Sequence, residues 1–214
     1  MQTRLNPQIL VDLFKRRLKA RDGASEAAGV LSGLETSPVM QVSQVNQMPY
    51  EDFIEVFGNV IEHSSLCAAA VWKYRPFRDV RHLHEEICGF VDELPVAGRE
   101  GILRLHPDLA GQMAREDQLT LESLKEQEAA GMSDLTLEES VSLASMNRSY
   151  REKFGFPFVI CARRNKKEAI LEGIRTRLNN SVEAEVEKGI TEVKKICYLR
   201  LLDLVEHEGV ESRL

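Results

Sequence analysis

Paired cysteines, long apolar runs and a basic excess are all missing from this 214-residue chain, and each absence removes a class of function. The four cysteines, Cys67, Cys88, Cys161 and Cys197, stand far apart with no C-x-x-C pair. That spacing signals neither a disulfide framework nor a zinc site, and the thiols read as buried and reduced. No apolar stretch approaches the roughly 18 to 20 residues that cross a bilayer, and the N-terminus lacks a secretory apolar core. A soluble, intracellular protein with no membrane partner is expected. With 28 Lys+Arg against 34 Asp+Glu the formal charge is −6, which offers no general field for nucleic acid. Strand patterning is almost absent too. Only Phe156 to Ala162 makes a short continuous apolar run, and one such segment cannot build a sheet.

What is present is helical periodicity. Hydrophobic residues make up 43% of the chain and charged ones 29%, a globular balance large enough to bury a core. Residues 1–46 differ from the rest: six basic and four acidic side chains give them +2, so the remainder carries −8. Ile9, Leu10, Leu13, Phe14 and Leu18 make a short basic amphipathic helix there, and a Gly-, Ala- and Ser-rich linker follows. We therefore divide the chain into a poorly ordered extension (1–46), a helical domain (47–206) and a tail (207–214).

Within the domain, Tyr50, Phe53, Ile54, Phe57, Val60 and Ile61 form one core stripe. After Asp79 as N-cap, Val80, Leu83, Ile87, Phe90, Val91 and Leu94 form a second, stopped by Pro95. Thr120 can cap a helix running to Gly131. Thr136 with Glu139, Asn165 with Glu168 and Asn180 with Glu183 have the spacing of capping boxes. His82, His84 and Glu85 complete no H-E-x-x-H and read as a solvated face rather than a metal site. These signals predict an all-α fold, a single domain of about seven to nine helices with one short extended segment near 156–162.

Three features carry candidate chemistry. His106 precedes Pro107, which cannot continue a helix, so the imidazole stands at a helix C-terminus. The partial negative charge there favours imidazolium and makes His106 a candidate general acid; alternatively its ring only caps the helix and Asp108 caps the next turn. Ser123, Glu126 and Gln127 project a hydroxyl, a carboxylate and an amide along one side of a helix, which suits a small polar ligand or an ordinary exposed surface. Arg200, among Ile196, Leu199, Leu201 and Leu202, needs a carboxylate, internal or supplied by a ligand. The extended segment could also offer free backbone groups.

Taken together and in order, Trp72-x-x-Arg75-Pro76-Phe77, His106-Pro107-Asp108-Leu109-Ala110-Gly111, Ser123-x-x-Glu126-Gln127 and Phe154 to Ala162 closely resemble the OHCU decarboxylases of uric acid degradation. The likeness runs from about Asn46 to Leu204. It implies a homodimeric, all-helical enzyme with no metal and no organic cofactor. The implied reaction converts 2-oxo-4-hydroxy-4-carboxy-5-ureidoimidazoline (OHCU) to S-allantoin and carbon dioxide. By the same resemblance His106 is the catalytic histidine, with Glu126 and Arg200 beside it. Pro107, Ser123, Gln127 and the backbone of Phe158, Val159, Ile160, Cys161 and Ala162 contact the substrate. Ser212-Arg213-Leu214 resembles the Ser-Lys-Leu address read by the peroxisomal import receptor, so a peroxisomal location is expected, with the cytosol as the alternative.

Overall fold

Prolines and capping hydroxyls cut the chain into helices, and the computed structural model describes them for residues 39–110 and 119–207. The basic amphipathic segment, Gly111 and Ser212-Arg213-Leu214 lie outside the described residues. Among the described residues the helices are α1 (Val42–Gln47), α2 (Tyr50–Phe57), α3 (Ser65–Val71), α4 (Val80–Glu93), α5 (Val96–Arg104), α6 (Leu121–Ala129), α7 (Leu137–Phe154), α8 (Lys167–Arg177) and α9 (Val182–Leu202). The all-α expectation holds, with no strand among the described residues beyond one isolated bridge between Met40 and Val205.

Most helix ends obey the predicted chemistry. The Asp79 and Thr120 side chains accept from the backbone N–H of His82 and Ser123, and Thr136 with Glu139 closes a full capping box. α7 stops at Gly155, whose φ of 74° is open to glycine at no steric cost. Two caps differ. α8 has Lys166 at its N-cap, because the Asn165 amide turns back to the Cys161 carbonyl. α9 is capped by Ser181, because Asn180 reaches a buried carboxylate, Glu185, at 2.7 Å.

The core stripe is buried as expected at Phe53 and Phe57 on α2 and at Val60 and Ile61 in the turn after it, but Tyr50 is exposed and packs edge-on against Trp72. The Trp72 to Phe77 motif proves to be a structural clasp. Arg75 lies 3.8 Å over the Trp72 ring and donates to the carbonyls of Asn46 and Met48, while the Phe77 N–H donates to the Asn46 side chain. His84 is not on a solvated face. It is half-buried where α4 packs on α9, bonded to the Lys194 carbonyl at 2.9 Å.

The long helix α9 is the spine, touching α4, α5 and α7. Its approach to α5 depends on Gly189: a Cβ there would lie 2.8 Å from Leu103 Cδ2. The predicted extended strip runs from Phe156 to Cys161 and then turns, since Ala162–Arg164 is a 3₁₀ turn packed on α6. Its backbone is less free than expected. Arg177 on α8 donates to the Val159 carbonyl, and Glu192 on α9 accepts from the Cys161 N–H.

Candidate active site

The end of α5 supplies the histidine. Pro107 stops the helix, and the His106 ring folds back so that Nδ1 lies 3.0 Å from the Ile102 carbonyl. A carbonyl only accepts, so Nδ1 carries the hydrogen and Nε2 keeps a lone pair. Nε2 is buried with no partner among the described residues. The capping and chemical readings of this residue thus coexist, one on each nitrogen. Asp108 pairs with Arg151 on α7, and the next turn that it was expected to cap runs outside the described residues.

The protonation state corrects the expectation. Burial pushes the His106 pKa down to about 4, and the charge of Glu62 and the Ile102 carbonyl offset only part of that. A helix terminus contributes at most a modest stabilisation of a cation, and desolvation outweighs it here. His106 is therefore neutral near pH 7 rather than an imidazolium, with Nε2 open to a proton.

The first turns of α6 bring Ser123, Glu126 and Gln127 inward, all three buried. Arg200, two turns beyond Val193 on α9, meets them there. Its Nε and Nη2 donate to the two Glu126 oxygens at 2.8 and 2.7 Å, a bidentate pair. Nη2 also reaches Ser123 Oγ, and Nη1 reaches the Asn59 carbonyl and Glu62 Oε2. Burial by itself would lower the Arg200 pKa, but the hydrogen bonds and charge of Glu126, with Glu62 behind, raise it well above the ordinary value. All three guanidinium nitrogens are occupied by protein acceptors. In this conformation Arg200 holds Glu126 rather than reaching for a ligand oxygen.

Glu62 was not legible in the sequence. It sits in the turn after α2, buried, and accepts from Thr120 Oγ1 at 2.7 Å and Ser123 Oγ at 2.8 Å. Burial works to raise its pKa, yet the Arg200 charge and the three hydrogen bonds prevail and lower it.

These groups wall a cavity with about 360 Å³ of open space. His106, Pro107, Ser123, Glu126, Gln127 and Arg200 line it together with Phe158, Val159, Ile160 and Ala162, and Leu109 and Ile196 add apolar surface. Of the expected residues, only Cys161 is absent from that lining: along the strip its N–H faces Glu192 instead. Gln127 Oε1 accepts from the Ala110 N–H at 2.9 Å, and among the described residues no acceptor takes its amide nitrogen, which suits it to a ligand. Ala110 has φ 46°, an uncommon conformation for a residue with a Cβ, beside the cavity.

A half-open pocket among helices with a neutral imidazole, a fixed carboxylate and an amide donor is the equipment of an enzyme that moves a proton on a small polar molecule. Residues 46–202 match the OHCU decarboxylase family model. The chain is 47% identical over 175 residues to 2-oxo-4-hydroxy-4-carboxy-5-ureidoimidazoline decarboxylase of Amia calva, covering 82% of this chain and all of that one. It is 45% identical to the Xenopus laevis enzyme of the same name, with the same coverage. The fold also matches a crystal structure of OHCU decarboxylase in the presence of (S)-allantoin, with TM-score 0.57, 22% identity, 72% of this chain and 96% of that one. The chain belongs to the OHCU decarboxylase family.

Proposed function

We propose that this protein decarboxylates 2-oxo-4-hydroxy-4-carboxy-5-ureidoimidazoline to (S)-allantoin and carbon dioxide in urate degradation, without a metal or organic cofactor. The observation that carries the reading is the unpartnered Nε2 of His106 beside the Arg200-held carboxylate of Glu126.

The substrate supports it chemically. Its name places hydroxyl and carboxyl on one ring carbon and the ureido group on the next, with one C=N bond in the ring. When the C–COO⁻ bond breaks, its electron pair forms a C=C bond to the ureido-bearing carbon, and the C=N pair retreats onto nitrogen beside the ring carbonyl. The ring is its own electron sink, the task that pyridoxal or thiamin performs elsewhere. His106 then takes the hydroxyl proton as that oxygen becomes a carbonyl, and returns a proton to the ureido carbon from one face. The ring nitrogen takes the remaining proton from solvent, so each turnover consumes one. One residue serves as base and then acid, which fits a histidine that begins neutral. Gln127 and the strip from Phe158 to Ile160 orient the ureido arm, and Glu126 faces the hydroxyl.

The family likeness and the exposed apolar pair Leu137 and Val141 on α7 support a homodimer. Ser212-Arg213-Leu214 supports delivery to peroxisomes, and a tagged chain that stayed diffuse with or without these residues would count against it.

The test is circular dichroism at an allantoin-sensitive wavelength, following urate oxidised and hydrolysed by the two preceding enzyme activities. One enantiomer should appear faster with this protein, and His106→Asn should abolish the gain. Slow racemic product, the same with and without protein, would remove the reading.

A further inference from the structure

Glu62 is 1% exposed and lines no part of the cavity, yet the turn that delivers it is held in an unusual shape. His63 has φ 49°, in the left-handed region that residues with a Cβ rarely adopt, and its N–H is tied to Asn59 Oδ1 at 3.0 Å. Asn59 also gives its carbonyl to Arg200, so the turn is built around this ion cluster. Neutralising Arg200 does not require it, because Glu126 already does so through two parallel hydrogen bonds. With Glu62 added, one guanidinium faces two carboxylates, and the buried cluster carries one uncompensated negative charge. Arg200 and Glu126 of that cluster line the same cavity as the neutral His106, whose Nε2 is open to a proton.

We propose that Glu62 is a positioning residue of the decarboxylation: through Ser123 and Arg200 it fixes Glu126 at the cavity wall, and its unbalanced charge stabilises the imidazolium that His106 becomes in mid-reaction. The second part parallels the buried carboxylate of a catalytic triad, which steadies a cationic ring without taking its proton. Several charged groups surround His106. Glu62 and His63 come from the turn after α2 and Arg200 from α9, while Glu126, under the hold of Arg200, shares the cavity wall from α6. Burial is the largest influence against the charged ring, Arg200 and His63 add to it, and Glu62 is the largest influence in its favour. His63 Nε2 lies 3.7 Å from Glu62 Oε1 at the exposed edge.

The proposal rests on His106 acting as proposed above, and the experiment separates the two. The full-length protein, E62Q, E62D and H106N are compared by kcat and KM between pH 4 and 8, over the range in which each melts cooperatively. E62Q should lose about tenfold to hundredfold in kcat, with KM changed by no more than about threefold. Because its histidine is harder to protonate, the acid limb of kcat/KM should move down by about one pH unit. E62Q then keeps a larger share of its neutral-pH kcat/KM at pH 4.5 than the wild type does. E62D, which keeps the charge on a shorter stem, should recover most of the rate and part of the limb. If E62Q does not fold, E62D decides alone: a limb displaced towards lower pH supports the proposal, an unmoved one overturns it. Wild-type kcat in E62Q, or a loss of kcat with the limb in place, also overturns it, the latter leaving a purely structural carboxylate. An H106N enzyme at the wild-type rate sinks the role of His106 itself; an inactive H106N beside an ordinary E62Q sinks only the role of Glu62.

Discussion

Two buried arginines hold this protein together, and they are spent differently. Arg177 on α8 donates to Glu185 at 2.7 Å and to the Val159 carbonyl at 2.8 Å, and its guanidinium lies 4.5 Å over the Phe158 ring. Tyr150 donates to the same carboxylate, Asn180 takes its other oxygen, and burial raises the tyrosine pKa above its ordinary value. That network pairs one cation with one anion and leaves no buried orphan. Arg200 meets two carboxylates, with a histidine alongside that keeps one nitrogen unpaired. A balanced, sealed cluster fixes a shape. An unbalanced one next to a cavity stands ready for a proton.

Substitutions can break that contrast. The largest effect is expected at His106: His106→Asn should cut kcat by about 10²- to 10⁴-fold with cooperative melting retained, measured by allantoin formation beside a thermal melt. Arg177→Met and Arg200→Met should each cost about 3–5 kcal/mol, because each strands buried carboxylate, read from urea unfolding. They should part in activity per folded molecule, which Arg177→Met largely keeps and Arg200→Met loses. Equal activity in the two would erase the distinction drawn between the clusters.

The pH dependence of stability sharpens the comparison. His106 has a folded pKa of about 4 against an ordinary 6.5, so the unfolded chain binds a proton there that the folded one refuses. Stability therefore falls as pH drops from about 6.5 to about 4, by roughly 3 kcal/mol from this residue. Glu62, with a lowered pKa, contributes stability that is lost at the acid end of the same titration. In His106→Asn the slope above pH 5 should flatten, and the measurement is the urea midpoint at several pH values. The smallest effect is expected at the exposed edge of the Arg177 cluster, where Ser181→Ala removes the α9 cap at a cost of about 1 kcal/mol and leaves kcat unchanged.

How much of this was legible in the sequence follows from distance along the chain. His106, Ser123, Glu126 and Gln127 could be picked out as candidates because helical spacing and a following proline mark them locally, and the family resemblance joined them into one site. The helix count and the Thr136–Glu139 box are local in the same way. Glu62 could not be found, since its partners lie 58 residues away at Thr120 and 61 away at Ser123, and Ile61-Glu62-His63-Ser64 has no pattern of its own. The same holds for the neutral state of His106, which depends on burial contributed by other helices. Asn165 and Asn180 had cap spacing, but tertiary partners, the Cys161 carbonyl and Glu185, drew their amides elsewhere. For Cys161 the sequence showed an extended strip without showing which side faced the cavity. Glu192, 31 residues on, settles it.

The missing side chain at Gly189 has a consequence for the chemistry. Gly189 and Arg200 are eleven residues apart, close to three full turns, so both lie on the same side of α9. At one of these points the helix accepts Leu103, three residues before His106, and at the other it presents the guanidinium that clamps Glu126. α5 and α9 work as the two legs of a pair of calipers, and the gap between base and clamp is gauged where they touch. A single methyl group at the hinge would reset that gauge without altering any residue that meets the substrate.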